Sequence, residues 1–202
     1  MQLLFDILRQ NYFRSEPKST GKMALQQPVK PQLLWIGCSD CQVPPHEMAS
    51  LHPEAIFVHQ NIANQVKEGD ASMESALHFA VEELQIKRIV VCGHYHCSGV
   101  KKALLEFEKE DDLSGKPFYS WINEIKYLAY RHWESIREMP DQEARLQHLI
   151  ELNVLKQAEK LRNNHLIACN PDIEIFSWVF DPYRNCILDL SYKYQAIKAL
   201  AV

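Results

Sequence analysis

Two short stretches carry the side chains best suited to chemistry. Cys38-Ser-Asp-Cys-Gln42 offers two thiols and a carboxylate, and His94-Tyr-His-Cys97 offers two imidazoles and a third thiol. Thiolate, imidazole and carboxylate together are the donor set of tetrahedral zinc. His94-x-x-Cys97 is a short chelating pair, and Cys38, 56 positions before His94, completes a Cys2His set. Asp40, Cys41 or a water is available for the fourth position, and Cys38-x-x-Cys41 with His94-x-x-Cys97 also has the spacing of a structural Cys3His site. Any one of these residues alone reads as a buried thiol or a hydrogen-bonded core imidazole. Three of them, with Asp40 beside the first, read as a metal site. A redox pair between Cys38 and Cys41 is the weaker idea, because Cys41 would compete with the metal for Cys38. Cys92, Cys169 and Cys186 sit in apolar runs and read as core residues, and His96 reads as a solvated loop histidine.

The elements that must position these loops are legible on either side of them. Leu33-Leu-Trp-Ile-Gly37 precedes the first loop and Arg88-Ile-Val-Val-Cys-Gly93 precedes the second. Short apolar runs of this kind are buried strands of a parallel sheet. Ligands of such sheets gather just beyond the carboxyl ends of the strands, which is where both loops begin. Ala55–His59 is a further strand. Residues 72–85 are predicted as a helix, with Met73, Ala76, Leu77, Ala80, Val81 and Leu84 on one face and Ser72 as its cap. Helices are also predicted over 98–109, 119–138 and 142–163. The last buries Leu146, Leu149, Ile150, Val154, Leu155, Ala158 and Leu161. Ile173–Phe180 and Ile187–Tyr192, separated by a turn-forming Asp181-Pro-Tyr-Arg-Asn185, are predicted as a hairpin at the sheet edge.

Composition narrows the partners. The chain has 202 residues, 47% of them hydrophobic, which suits one domain with one core. A net charge of -4 argues against nucleic acid and anionic membrane surfaces, which reward a basic face. No apolar run approaches the roughly 20 residues of a membrane span. Met1-Gln-Leu-Leu-Phe-Asp-Ile-Leu-Arg9 lacks the basic start of a signal peptide and reads as an amphipathic arm within residues 1–30. Six cysteines are too sparse for a disulfide scaffold, so reduced, cytoplasmic, metal-binding use is expected.

With these residues laid out, the chain resembles the β-class carbonic anhydrases, in particular the bacterial type with a closable site. The resemblance rests on Leu34-Trp-Ile-Gly-Cys-Ser-Asp40, Phe57-Val-His59, Asn61-Ile-Ala-Asn-Gln-Val66, Cys92-Gly-His-Tyr-His-Cys97, Leu152-Asn-Val154 and Ser177-Trp-Val-Phe-Asp181. It implies a single α/β domain over 1–202, built on a mainly parallel sheet flanked by helices with a helical arm packing on a partner. It further implies homodimers or tetramers and reversible hydration of carbon dioxide to bicarbonate on Zn2+. Carried over, Cys38, His94 and Cys97 are the zinc ligands. Asp40 is the gatekeeping carboxylate that either accepts a hydrogen bond from the nucleophile or closes the site as fourth ligand.

Two departures set expectations for activity. The family pairs that aspartate with an arginine two residues on; here the position is Gln42, after Cys41 in place of a serine. A neutral amide offers Asp40 about 1 kcal/mol, against about 1.5–3 for a charge-assisted bond. Asp40 is therefore expected to prefer the metal and slow the reaction near neutral pH. Bacterial relatives also bind inhibitory bicarbonate at a tryptophan, an arginine and a tyrosine. Here those places hold Trp35, Gln60 and Phe180, a site without its charge. The alternatives are an inactive zinc-binding relative with a closed site, or a hydrolase of another small linear molecule such as carbon disulfide.

Overall fold

A computed structural model describes residues 30–109 and 116–191. The predicted arm within 1–30, the acidic break around 110–115 and the weak helix after 191 lie essentially outside them. Five strands form one sheet: β1 (Leu33–Cys38), β2 (Ile56–Asn61), β3 (Arg88–His94), β4 (Glu174–Asp181) and β5 (Cys186–Asp189). Their order is β2-β1-β3-β4-β5, the first four parallel and β5 antiparallel to β4. The mainly parallel α/β sheet and its edge hairpin are therefore as expected.

The chain order reverses between β1 and β3, which makes the gap beyond their carboxyl ends a topological switch point, the usual ligand site of an open α/β sheet. Alternation along the strands sends Leu34, Ile36, Ile89, Val91 and Val179 to the larger core. Leu33, Trp35, Val90, Cys92 and Phe180 go to a smaller cluster on the other face. The helices are α1 (Pro45–Met48), α2 (Ala71–His78), α3 (Ser98–Lys109), α4 (Pro117–Arg131), α5 (Trp133–Arg137), α6 (Gln142–Arg162) and α7 (His165–Ala168). The stripe predicted on α6 is buried as expected, and it also holds two polar residues, Asn153 and Gln157.

Several boundaries differ from the predictions. The cap of α2 is Asp70, whose Oδ1 accepts the Ser72 and Met73 N–H groups at 3.0 and 3.4 Å; Ser72 itself lies inside the first turn. The second half of that predicted helix, Phe79–Glu83, winds as a wider π-turn and ends at Gln85, whose φ of 53° leaves helical space. The helix predicted over 119–138 breaks at His132, with φ -110° and ψ 19°, into α4 and α5. Cys92 is buried, but Cys169 and Cys186 are exposed: the first follows the single turn of α7 and the second opens the edge strand β5. No helix of the described residues is long and apolar enough to cross a membrane.

Candidate metal centre

Cys38 is the last residue of β1 and His94 the last of β3, so adjacent strands bring them together; Cys97 stands one turn further, at the entrance to α3. Gly93 permits the close passage of α6 over this strand end, because a Cβ there would lie 2.6 Å from Val154 Cγ2. The Sγ atoms of Cys38 and Cys97 are 3.7 Å apart. Two thiolates at the usual zinc–sulfur distance of about 2.3 Å subtend about 3.8 Å in a tetrahedron. His94 Nδ1 lies 3.1 Å from the Tyr95 carbonyl oxygen, which orients the ring, and its buried Nε2 has no hydrogen-bond partner. Ligand atoms of Cys38, His94 and Cys97 all lie within 4.8 Å of one another, the one such group among the described residues. Two buried sulfurs at a tetrahedral edge and an orphaned imidazole nitrogen fit a zinc ion.

The electrostatics of the sulfur pair are asymmetric. Cys38 Sγ receives the N–H groups of Ala63 at 3.2 Å and Asp40 at 3.4 Å. A hydrogen bond from the Cys97 thiol, opposed by burial and aided by His94, brings Cys38 down to about 4. Cys97 is pushed well above the ordinary thiol range by that same bond and by burial. One thiolate and one thiol therefore share the metal-free site.

Asp40 stands beside this cluster. Its Oδ2 is 3.9 Å from His94 Nε2 and accepts the backbone N–H of Ser98, the first residue of α3, at 2.7 Å. A nitrogen and an oxygen both ligating zinc at about 2.0–2.1 Å would be about 3.3 Å apart, so Oδ2 lies farther from His94 Nε2 than two ligands of one zinc ion would. Gln42 is exposed, and no hydrogen bond from it to Asp40 occurs among the described residues. The partner that sequence reasoning sought at position 42 is instead a main-chain donor at the positive end of a helix.

Cys41 is excluded from the cluster. Its thiol lies 3.8 Å from the Val43 carbonyl oxygen and 4.0 Å from Met48 Sδ, packed against the smaller core on the opposite face of the sheet from Cys38. The turn after β1 rotates it away, which removes the Cys3His arrangement and the redox pair together. Of the three residues expected at a degenerate anion site, Trp35 and Phe180 are buried in one apolar cluster. Gln60 donates to the Cys38 carbonyl oxygen at 3.3 Å. His96 is half-buried rather than freely solvated, its Nδ1 3.4 Å from Glu143 Oε1.

Residues that sequence reasoning missed support the candidate ligands from behind. Ala63 and Asn64 have φ of 62° and 45°, a left-handed pair that turns the Ala63 N–H onto Cys38. That loop is tied to α6: Asn153 Nδ2 donates to the Ala63 carbonyl at 3.0 Å, and the Val66 N–H donates to Gln157 Oε1 at 2.8 Å. The signal was present in the sequence as two amides interrupting the apolar stripe of α6. Beside His94, the Tyr95 hydroxyl donates to Glu151 Oε1 at 2.8 Å.

Comparison with known proteins agrees with this geometry. The carbonic anhydrase family profile matches residues 33–185. A carbonic anhydrase of Emericella nidulans is 33% identical over 189 residues, spanning 92% of this chain and 79% of the relative. A tetrameric β-carbonic anhydrase of Sordaria macrospora superposes with a TM-score of 0.77 at 29% identity, covering 94% of this chain and 97% of that one. A Coccomyxa β-carbonic anhydrase has a TM-score of 0.75 at 23% identity, over 93% and 85%, a likeness of fold alone.

Proposed function

The chain belongs to the β-carbonic anhydrase family, and from that premise we propose that it hydrates carbon dioxide reversibly to bicarbonate, with Cys38, His94 and Cys97 holding a Zn2+ ion. The observation that carries this reading is the pairing of two buried sulfurs 3.7 Å apart with an unpartnered His94 Nε2 and a carboxylate 3.9 Å beyond it. Zinc in such a site lowers the pKa of water to about 7 and so supplies a nucleophile at neutral pH.

The chain's own residues then have separate tasks. The Ala63 and Asp40 N–H groups donate to Cys38 Sγ and so favour its thiolate, and the Tyr95 carbonyl fixes the tautomer and orientation of His94. Asp40, held by Ser98 N–H, accepts a hydrogen bond from the nucleophile and aims it at the carbon dioxide carbon. The bond from Ser98 restrains the carboxylate but brings none of the full positive charge that the family's arginine supplies. Asp40 is therefore less firmly restrained from moving onto the metal, and activity at pH 7 is lower than at pH 9.

Metal analysis with stopped-flow hydration measured from pH 7 to 9 tests the reading. We expect one zinc per chain and a rate that climbs with pH. A high, flat rate would sink the gating role of Asp40, and a zinc-loaded protein inactive at every pH would make it a closed four-ligand relative. The tetrameric state of the Sordaria relative supports self-association of this chain as well. Six free cysteines suit a reducing compartment, the cytoplasm.

A further inference from the structure

His96 lies between two of the three proposed ligands and has a φ of 63°, in the left-handed region that residues with a Cβ rarely enter. Such a conformation persists when surrounding contacts over-determine it. Two contacts do so here. Nδ1 of His96 is 3.4 Å from Glu143 Oε1, in the first turn of α6. The imidazole also meets the Tyr183 ring edge-on, with centroids 4.6 Å apart and planes at 89°. The main chain that carries each partner is itself fixed, although the Tyr183 ring is 83% exposed. The α6 start is capped by Asp141, whose Oδ1 accepts the Ala144 N–H at 2.8 Å. The turn carrying Tyr183 is closed by Asp181, whose Oδ1 accepts the Tyr183 and Arg184 N–H groups at 2.9 and 3.1 Å.

We infer that Glu143 and Tyr183 are positioning residues: together they clamp His96 in its left-handed conformation, and that conformation turns His94 and Cys97 toward a single metal ion. The inference rests on the zinc reading above. A half-exposed contact between an imidazole and a carboxylate contributes little by itself. This one matters because of where it acts. With His96 relaxed into the right-handed or extended regions, the chain between His94 and Cys97 would leave the strand end in another direction, and the chelating pair would open.

The clamp makes a non-additive prediction. Zinc affinity of the full-length protein is measured by competition with a chromophoric chelator, with circular dichroism confirming that each variant is folded. Glu143→Ala and Tyr183→Ala should each weaken affinity about 10- to 100-fold, the usual effect of removing support behind a ligand. Glu143→Gln, which keeps an acceptor, and Tyr183→Phe, which keeps the ring, should stay close to the wild type. His96→Gly should also stay close, because glycine adopts the left-handed conformation without help. In the His96→Gly background Glu143→Ala should then cost nothing further. The visible absorption of the Co2+-substituted protein gives a second readout: Glu143→Ala should change its band shape, and Glu143→Gln should not. Equal losses from Glu143→Ala in the His96 and His96→Gly backgrounds, or no loss in either while the wild type binds zinc, would overturn the clamp alone. A wild-type chain that takes up no zinc would overturn the metal reading and the clamp together.

Discussion

The two loops that meet at the candidate metal centre are built on different principles. The β1 loop fixes its ligand through the main chain: Cys38 Sγ receives the N–H groups of Ala63 and Asp40, and α6 holds Ala63 through Asn153. The β3 loop fixes its ligands through side chains, with Tyr95 on Glu151 and a left-handed His96 on Glu143 and Tyr183. Donors aimed at a sulfur stabilise negative charge, and here they add to the bond from the Cys97 thiol, which is the main influence holding Cys38 low. Side-chain anchors set direction and not charge, and Cys97, raised by its bond to Cys38 and by burial, would give up its proton only to a bound metal. One side of the site is prepared electrically, the other geometrically.

Removing a ligand breaks both sides at once and should have the largest effect. Cys38→Ser or Cys97→Ser should cost more than the roughly 100-fold in metal affinity that loss of a supporting group can produce, with hydration falling to background. Metal content after dialysis and stopped-flow rates check this. Next in size is Asp40→Asn, which leaves the sulfurs alone and removes the acceptor for the nucleophile's proton. A loss of about 100-fold or more in hydration rate with zinc content unchanged is expected. A loss of zinc instead would make Asp40 a ligand in the resting protein.

The asymmetry of the sulfurs has its own pH signature. In the metal-free protein Cys38 is already ionised well below neutrality, while Cys97 keeps its proton above the ordinary thiol range. Zinc requires both as thiolates. Between pH 7 and 9 binding should therefore release one proton from the pair, and affinity should rise about tenfold per pH unit. Calorimetry in buffers of different ionisation enthalpy counts that proton. Two protons released would mean that the bond from Cys97, with the N–H donors beside it, does not keep Cys38 ionised, and the contrast between the two sulfurs would fail.

The difference between the loops also explains what the sequence could disclose. Strands ending in Gly-Cys and Gly-His, the apolar stripe of α6 and the edge hairpin are periodic or local features, and all are readable from residue order. Cys38, His94 and Cys97 could be chosen because their types and spacing carry the chemistry. Asp40 could also be picked out as the carboxylate beside these residues, but its donor could not: a backbone N–H at Ser98 has no letter in the sequence, so attention fell on the side chain of Gln42. Cys41 misled for a related reason. Strand alternation ends at Cys38, and the turn that follows sends Cys41 to the opposite face. Left-handed Ala63, Asn64 and His96 carry none of the glycine that would have announced them.

The smallest expected effect addresses Asp40 from its exposed side. Among the described residues no hydrogen bond joins Gln42 to the carboxylate, and Ser98 already donates to Oδ2, so a guanidinium introduced by Gln42→Arg would have to add a second, charge-assisted bond. The gain over a neutral donor is about 1 kcal/mol, or about fivefold. That gain should be greater at pH 7, where the carboxylate competes most effectively for the metal, and should shrink toward pH 9, where the nucleophile wins regardless. Hydration rates of Gln42→Arg and wild type at both pH values separate the possibilities. An equal gain at pH 7 and 9 would place the benefit outside the competition for the metal. No gain at either would mean that the N–H of Ser98 alone decides where Asp40 stands, and that the main chain of the β3 loop controls a side chain of the β1 loop.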